Sequence, residues 1–252
     1  MKAEIINVGT ELLMGQVLNT NARFISEQLA SLGIGLYRQV TVGDNPARLS
    51  DAIRQALDSA DTVIMTGGLG PTQDDLTKQT AAEVMGYELE LNHTIEQKIK
   101  YYFKNIGREM TPNNLRQAMF PKDSIILDNP NGTAPGCIME KGDKTLIMLP
   151  GPPRELIPMF TNSVVPYLSK LSESCLYTKV LRIFGIGESS AEYKLRDLIE
   201  NQTNPTIAPY ASLGELSLRI TAGCKNKEEG AALVSPGFIL LPSTIFSLET
   251  TP

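Results

Sequence analysis

Tryptophan is absent from the chain, and histidine, cysteine and long apolar runs are scarce. The 252 residues include one histidine, His93, and three widely separated cysteines, Cys137, Cys175 and Cys224. Three scattered cysteines favour neither a disulfide framework nor a metal site, and one histidine in a polar helix start supplies no persuasive catalytic pair. No apolar stretch approaches the roughly 18 residues of a membrane span, and the first residues do not form a signal peptide. We therefore expect a cytoplasmic protein with no membrane partner.

Positive charge is also in short supply. The chain has 23 Lys and Arg against 28 Asp and Glu, which gives a net charge of −5 with the histidine neutral. Non-specific nucleic-acid binding depends on clustered basic residues, because each one neutralises a backbone phosphate. The composition therefore argues against nucleic acid as a partner and favours a small molecule.

Strand-like and helix-like patterns alternate through the first part of the sequence. Residues 3–8 form a short apolar run typical of a buried parallel strand, and residues 19–33 carry apolar positions at helical spacing. This alternation predicts an α/β fold, in which helices cover both faces of a mainly parallel sheet. We assign residues 1–170 to this domain, residues 175–230 to a small α+β domain, and no structure to residues 235–252.

The sharpest motif is Thr-Gly-Gly-Leu-Gly-Pro-Thr-Gln-Asp-Asp at residues 66–75, between a buried strand and a helix predicted for residues 73–85. Glycines here let the backbone approach a ligand and turn its N–H groups toward an anion, and the helix start adds partial positive charge. Phosphate or a phosphorylated small molecule fits this geometry. The predicted binding residues of this loop are Gly67, Gly68, Gly70 and Thr72.

Two carboxylates, Asp74 and Asp75, follow these glycines. Bare phosphate would repel them, so beside it they would hold a divalent cation of undetermined identity or activate water. The structural alternative is a capping box, Thr72-x-x-Asp75, in which the same residues only stabilise the helix start. With Thr72 as cap, the two acids lie about 100° apart around the helix axis, so only one faces the crevice. We favour the functional interpretation because the motif follows the carboxyl end of a central strand.

Further loops leave predicted strands at the same edge of the sheet, where parallel strands share one crevice. Glu11 and Asn19 are candidates to face the glycine loop, although Glu11 also suits a solvated turn and Asn19 a helix cap. Gly151 and Arg154 are possible anion contacts in a proline-rich loop that is as well explained by a structural turn. Thr133 lies in a segment that is typical first of a turn and only second of a ligand loop.

Five motifs are linked in one order along the chain: Gly-Thr-Glu-Leu-Leu-Met-Gly at 9–15, Asn-Thr-Asn at 19–21, the glycine loop at 66–75, Asn-Gly-Thr-Ala-Pro-Gly at 131–136 and Leu-Pro-Gly-Pro-Pro-Arg-Glu at 149–155. Together they resemble the competence/damage-inducible CinA family, whose amino-terminal part is similar to the molybdopterin-binding domain of molybdenum cofactor biosynthesis proteins. The resemblance covers about residues 1–230. It implies a three-layer α/β/α domain, a small KH-like domain and a homodimer. Gly185-Ile186-Gly187-Glu188 departs from the basic glycine loop of KH domains that clamp nucleic acid, so RNA binding is not expected.

The resemblance also implies an activity. Family members are described as metal-dependent ADP-ribose pyrophosphatases, so we expect a hydrolase of a nucleoside diphosphate sugar in which Asp75, Asp74 and Glu11 are catalytic and the two aspartates hold the metal. The Asp-x-Thr pattern of molybdopterin-binding domains favours Asp75, two residues before Thr77, as the more important acid. Two alternatives stay open: a molybdopterin-binding or molybdenum cofactor biosynthesis protein, and a non-catalytic truncated scaffold. The family's further amidase domain is not expected in this chain, which stops at Pro252.

Overall fold

The structure is a computed structural model of the chain, and the residues it describes are 1–171, 175–212 and 215–239. The chain divides into two compact units, which are described separately below. The first unit contains Met1–Leu29 and Ile34–Lys170, and the second contains Ala30–Gly33 and the chain from Leu171 onward. Within the described ranges, no helix is both long and apolar enough to cross a membrane.

Eight strands lie in the first unit. They are β1 Lys2–Val8, β2 Gly35–Val42, β3 Thr62–Thr66, β4 Leu89–Leu91, β5 Met119–Pro121, β6 Ile125–Leu127, β7 Gly136–Lys141 and β8 Lys144–Leu149. Six of them form one sheet in the order β2-β1-β3-β8-β7-β6, and β4 pairs with β5 in a separate ribbon. The pairs β1–β2, β1–β3 and β3–β8 are parallel, whereas β7 and β6 add an antiparallel edge. The mainly parallel sheet predicted from the sequence is confirmed.

Seven α-helices surround this sheet. They are α1 Thr10–Leu13, α2 Thr20–Ser31, α3 Pro46–Ser59, α4 Thr77–Met85, α5 His93–Asn105, α6 Pro153–Met159 and α7 Val165–Leu171, and a 3-10 helix spans Pro112–Ala118. Ile5 and Ile6 point to opposite faces of the sheet and are both fully buried, so both faces are covered. The predicted cap of α2 is confirmed, because Asn19 Oδ1 accepts the N–H of Ala22 at 3.0 Å.

The start of α4 differs from the prediction. The helix begins at Thr77 instead of residue 73, and its N-cap position, Leu76, makes no side-chain cap bond. Thr77 is tied back to the glycine loop, since its hydroxyl donates to the Gly67 carbonyl at 2.9 Å and its N–H donates to the Gly68 carbonyl at 3.2 Å. These bonds hold the chain at Thr77 and leave residues 72–75 to close a turn of their own before the helix. The alternative interpretation of Thr72 and Asp75 as a capping box for this helix is therefore wrong.

The described residues of the second unit form three strands and two further helices. They are β9 Cys175–Ile183, α8 Glu188–Glu200, β10 Thr206–Ser212, β11 Glu215–Cys224 and α9 Lys227–Ile239. The strands form an antiparallel sheet in the order β10-β11-β9. One side of this sheet is closed by an apolar cluster that includes Leu195 and Leu218. The small α+β pattern predicted here agrees with these elements.

Helix α9 enters the segment to which the sequence assigned no structure. It continues through Pro236 to Ile239, and the remaining residues of that segment, 240–252, lie outside the described ranges. A proline lacks the backbone N–H that a helix interior uses, and for this reason the sequence predicted no helix from residue 235 onward. Val234, which is fully buried, belongs to the cluster under this helix and favours its continuation.

Candidate functional site

The carboxyl ends of β1, β3 and β8 open onto one cleft of about 750 Å³ in the first unit. This is the crevice in which parallel α/β sheets bind their ligands. Every residue predicted for the site lines it: Glu11, Asn19, Gly67, Gly68, Gly70, Thr72, Asp74, Asp75, Thr133, Gly151 and Arg154. The fold therefore brings the predicted residues together, while the part that each plays stays a prediction.

The glycine loop after β3 has the backbone that its sequence suggested. Gly67 and Gly68 have φ angles of 93° and 65°, a region that disfavours residues with a Cβ atom. A Cβ on Gly67 would lie 2.2 Å from the Val8 carbonyl oxygen, and one on Gly68 would lie 2.2 Å from the Thr77 hydroxyl. In the part of the chain that the structure describes, the N–H groups of Gly68, Leu69 and Gly70 donate to no protein acceptor. Three successive unpaired N–H groups can bind an anion.

Asp74 and Asp75 are in different situations. Asp75 is half-buried, and its Oδ2 accepts the N–H of Thr72 at 2.8 Å and the hydroxyl of Thr72 at 2.5 Å. The Asp74 side chain is exposed and its carboxylate accepts no hydrogen bond from any described residue, and the same is true of the Glu11 side chain. Since both aspartates precede α4, the predicted helical separation of their side chains does not apply. Asp75 closes the turn, and Asp74 and Glu11 are left with free acceptor capacity.

The loop after β1 is held by Asp44. One carboxylate oxygen of Asp44 accepts the N–H of Thr10 at 3.0 Å and its hydroxyl at 2.8 Å. Further along, the Asn21 side chain donates to the Gly151 carbonyl at 2.7 Å, which joins the first turn of α2 to the proline-rich loop. The Asn21 Oδ1 atom is buried and has no partner among the described residues. Asn19, in contrast, is occupied as the cap of α2.

The other wall of the cleft is a polar network behind Thr133 and Arg154. Glu155 is buried and its Oε2 accepts the side-chain amide of Asn129 at 2.7 Å, while the Asn131 amide donates to the Arg154 carbonyl at 3.0 Å. The Arg154 side chain is 81% exposed and lies 3.9 Å from Glu155. This network fixes the backbone of both loops and leaves the guanidinium of Arg154 accessible to a ligand.

Several lining residues carry no signal in the sequence that would mark them. Gln117 is buried, and its amide donates to the Thr133 hydroxyl at 3.1 Å. Tyr102 and Ile106 belong to the helical stripe that begins with the buried Ile95 and Ile99, yet they are 41% and 47% exposed and line the cleft. Their helical spacing is the same as that of the core positions, so periodicity alone cannot separate the two groups. Phe103 and Arg108 complete this wall.

The predicted cation site was tested against the donor set. Among residues 1–171, 175–212 and 215–239, no three His, Cys, Asp or Glu side chains come together as a group that could hold a metal ion. Asp75 already uses one carboxylate oxygen for two hydrogen bonds to Thr72. The described residues therefore supply no preformed three-ligand site, and a divalent cation held by Asp74 and Asp75 stays a prediction.

Comparison with known proteins identifies the domain families present in the chain. Residues 4–170 match the family described as "Probable molybdopterin binding domain", and residues 178–238 match the "Damage-inducible protein CinA KH domain". The first unit is thus an α/β domain of the molybdopterin-binding class. The chain belongs to the CinA family.

Named relatives agree with this assignment. The chain is 54% identical over 237 residues to a "Putative competence-damage inducible protein" of Clostridium perfringens strain ATCC 13124, covering 94% of this chain and 57% of the relative. It is 55% identical over 236 residues to a "CinA-like protein" of Kosmotoga olearia, with coverage of 94% and 57%. The crystal structure of CinA, of unknown function, from Thermoplasma acidophilum is 36% identical, covers 64% of this chain and 96% of its own, and has a TM-score of 0.60. The chain spans a little over half the length of the curated relatives it matches.

These findings correct the expected activity. The prediction of a metal-dependent ADP-ribose pyrophosphatase is wrong, because the matched domain is described by molybdopterin binding and the named relatives carry no hydrolase description. The geometry gives the physical reason. The acid expected to matter most, Asp75, closes a turn, and the described residues supply no cluster of metal ligands. The first of the two alternatives is the better supported one.

Proposed function

We propose that the first unit binds molybdopterin, a pterin with a phosphorylated side chain. The observation that carries the proposal is the row of three unpaired N–H groups on Gly68, Leu69 and Gly70, in a cleft large enough for such a ligand. Backbone N–H groups near a helix start favour a phosphate, since the ion accepts their hydrogen bonds and faces the positive end of the helix dipole. Arg154 supplies a nearby, exposed positive charge.

The acidic character of the cleft supports a ligand with donors as well as a phosphate. Five acidic residues line it against two arginines, Arg108 and Arg154; the acids are Glu11, Asp44, Asp74, Asp75 and Glu155. Hydrogen bonds inside the protein occupy Asp44, Asp75 and Glu155. Asp74 and Glu11 remain available, and the N–H groups of a pterin ring are suitable donors for carboxylate oxygens.

Apolar side chains complete the complementarity. Val17, Leu18, Tyr102, Phe103 and Ile106 also line the cleft, and Leu18 is 83% exposed. A flat heterocycle that packs against such side chains removes apolar surface from water, which favours binding. A ligand that is charged at one end and planar at the other therefore matches the cleft better than a simple phosphate does.

The test is an anaerobic titration of the purified chain with molybdopterin. We expect saturable binding with one site per chain. Arg154→Ala should weaken it about tenfold, because a charge-assisted hydrogen bond to phosphate is lost. Arg23→Ala is the matched control, since the Arg23 side chain is 82% exposed against 81% for Arg154 and lies outside the cleft lining. Absence of saturable binding, or equal losses in the two variants, would contradict the proposal.

The cytoplasmic location and the homodimer expected from the sequence stay predictions. Cys137 is a buried free thiol, as in proteins of a reducing compartment. Light scattering of the purified chain measures the oligomeric state directly.

A further inference from the structure

Lys78 is a buried lysine immediately after the residue that ties α4 to the glycine loop. It is 7% exposed, and its Nζ atom donates to the carbonyls of Gln117 at 2.9 Å and Arg116 at 3.1 Å. The same nitrogen lies 4.2 Å from the centre of the Phe120 ring. Burying an amine is costly unless its hydrogen bonds are satisfied, so these two carbonyls account for its orientation.

The two acceptors end the 3-10 helix Pro112–Ala118. The last carbonyls of a helix have no partner within it, and a cation at that end is favourable. The ammonium group of Lys78 therefore fixes the end of this short helix against α4.

From the end of the 3-10 helix, two side chains reach toward the cleft. The Gln117 amide donates to the Thr133 hydroxyl at 3.1 Å, and the Arg116 guanidinium approaches the Asp75 carbonyl at 3.5 Å. Thr133 and Asp75 line opposite parts of the cleft, one on the polar wall and one on the turn after the glycines. Lys78 is the shared support behind both.

We propose that Lys78 is a positioning residue for the cleft, which acts through Gln117 and Arg116 on Thr133 and the turn at Asp75. It is absent from the residues that line the cleft and so touches no ligand there. The ligand-binding part of this inference rests on the proposed function, whereas the positioning itself is measurable without any ligand.

Lys141, the last residue of β7, provides a control that contacts the other end of the same helix, although its side chain is exposed where that of Lys78 is buried. Its Nζ atom donates to the Met85 carbonyl at 2.5 Å, at the far end of α4, and it does not line the cleft. Lys78→Met and Lys141→Met each remove one ammonium group that is bonded to backbone carbonyl oxygen. Only the first should alter the cleft.

The first measurement is amide hydrogen exchange in the free protein. We expect Lys78→Met to speed exchange about tenfold or more in peptides covering residues 111–118 and 128–135, and Lys141→Met to leave those peptides unchanged. Equal exchange in both variants would overturn the proposal. Because no ligand is present, this result does not depend on whether molybdopterin binds.

The second measurement is molybdopterin affinity. We expect Lys78→Met to weaken binding about tenfold and Lys141→Met to change it less than twofold. If Lys78→Met does not fold, Gln117→Leu takes its place, since it cuts the link to Thr133 and leaves Lys78 intact. Because Gln117 itself lines the cleft, faster exchange of residues 128–135 in the ligand-free variant supports the route from Lys78 to Thr133, and wild-type exchange there would overturn it. Failure of the wild type to bind would refute the proposed function and leave the exchange result standing.

Discussion

The two ends of the parallel strands in the first unit differ in how far their polar groups are hydrogen-bonded within the protein. At the amino end, a hollow of about 250 Å³ is lined by Glu4 and Ser59. Both oxygens of the Glu4 carboxylate accept a hydrogen bond there, one from Arg38 Nε at 2.7 Å and one from the Ser59 hydroxyl at 2.5 Å, and Arg38 Nη2 is the buried atom left without a partner among the described residues. At the carboxyl end, residues that line the cleft carry three backbone N–H groups and the carboxylates of Asp74 and Glu11, and none of these groups has a hydrogen-bond partner in the described chain. Polar groups that satisfy one another stabilise the fold, and those left unpaired at an accessible cleft are available to a ligand.

Gly68→Ala should have the largest effect and should disturb both fold and cleft. The new Cβ meets the Thr77 hydroxyl at 2.2 Å, and the φ of 65° adds backbone strain. We expect a loss of about 3 kcal/mol in unfolding free energy, from strain and from the broken Thr77–Gly67 bond, together with loss of ligand binding. Chemical denaturation measures the first effect and titration the second.

Gly142→Ala controls for the backbone alone. Its φ is 62°, and nothing lies within 4 Å of its added Cβ. It should cost about 1 kcal/mol and leave binding unchanged. Equal losses of unfolding free energy in Gly68→Ala and Gly142→Ala would show that close packing at the glycine loop contributes nothing to stability.

Glu4→Gln tests the amino end. It keeps the shape of a residue that is 5% exposed and removes the charge that faces Arg38. We expect a loss of about 2 kcal/mol, below the usual value for a buried pair because Arg38 is 37% exposed. Molybdopterin affinity should not change. A variant that keeps its stability and loses affinity would break the distinction between the two ends.

The pH dependence of stability tests the burial of Lys78. Burial, with a contribution from the Arg116 charge, lowers the pKa of Lys78 to about 8, against 10.5 in the unfolded chain. Between these values the unfolded chain holds the proton and the folded protein does not, so stability rises with pH. A neutral amine still has two N–H donors for its two carbonyls, so the contacts survive the titration.

The expected signature is a difference between wild type and Lys78→Met. The unfolding free energy of the wild type minus that of the variant should increase by about 1 kcal/mol per pH unit above pH 8. The titrations of other groups are the same in both proteins and cancel in this difference. Burial raises the pKa of the neighbouring Cys137 to about 12, so its thiol stays neutral over this range. A flat or falling difference in denaturation midpoints would contradict the prediction.

The pair Asp75→Asn and Asp74→Asn should show the smallest effects on stability. Asp75→Asn weakens two charge-assisted bonds to Thr72 and should cost about 1 kcal/mol. Asp74→Asn, at an exposed position, should cost less than about 0.5 kcal/mol and act on affinity instead. Thermal unfolding measures the stability of both variants, and titration measures their affinity. A larger stability loss in Asp74→Asn than in Asp75→Asn would show that Asp74, and not Asp75, has the structural role.

Sequence patterns predicted the strands and helices that depend on residues close together in the chain. Short apolar runs located β1 and β3, and helical spacing with Asn19 as cap located α2, because each depends on neighbours a few positions away. The start of α4 was missed because it is set by bonds from Thr77 back to Gly67 and Gly68, ten and nine residues earlier, which no capping pattern contains.

The candidate site also combines residues that sequence patterns predicted with residues that only the fold brings together. Its loops were predicted because motifs at strand ends meet at one edge of a sheet, whereas Gln117 and Tyr102 come from elements whose sequence is typical of ordinary helices. The hydrolase prediction failed for another reason. A glycine loop followed by acids is equally compatible with several phosphorylated ligands, and only the hydrogen bonds of Asp75 show which acid is already occupied.

The bond from Asn21 to Gly151 has a consequence for the order of events during synthesis. It joins residues 130 positions apart, and the polar wall that ends at Glu155 closes the cleft. A ribosome must therefore synthesise the chain through Glu155 before the complete cleft can form, so a ligand that contacts both walls binds only late in folding. It acts afterwards, by mass action on the finished unit, and should protect the unit as a whole against unfolding.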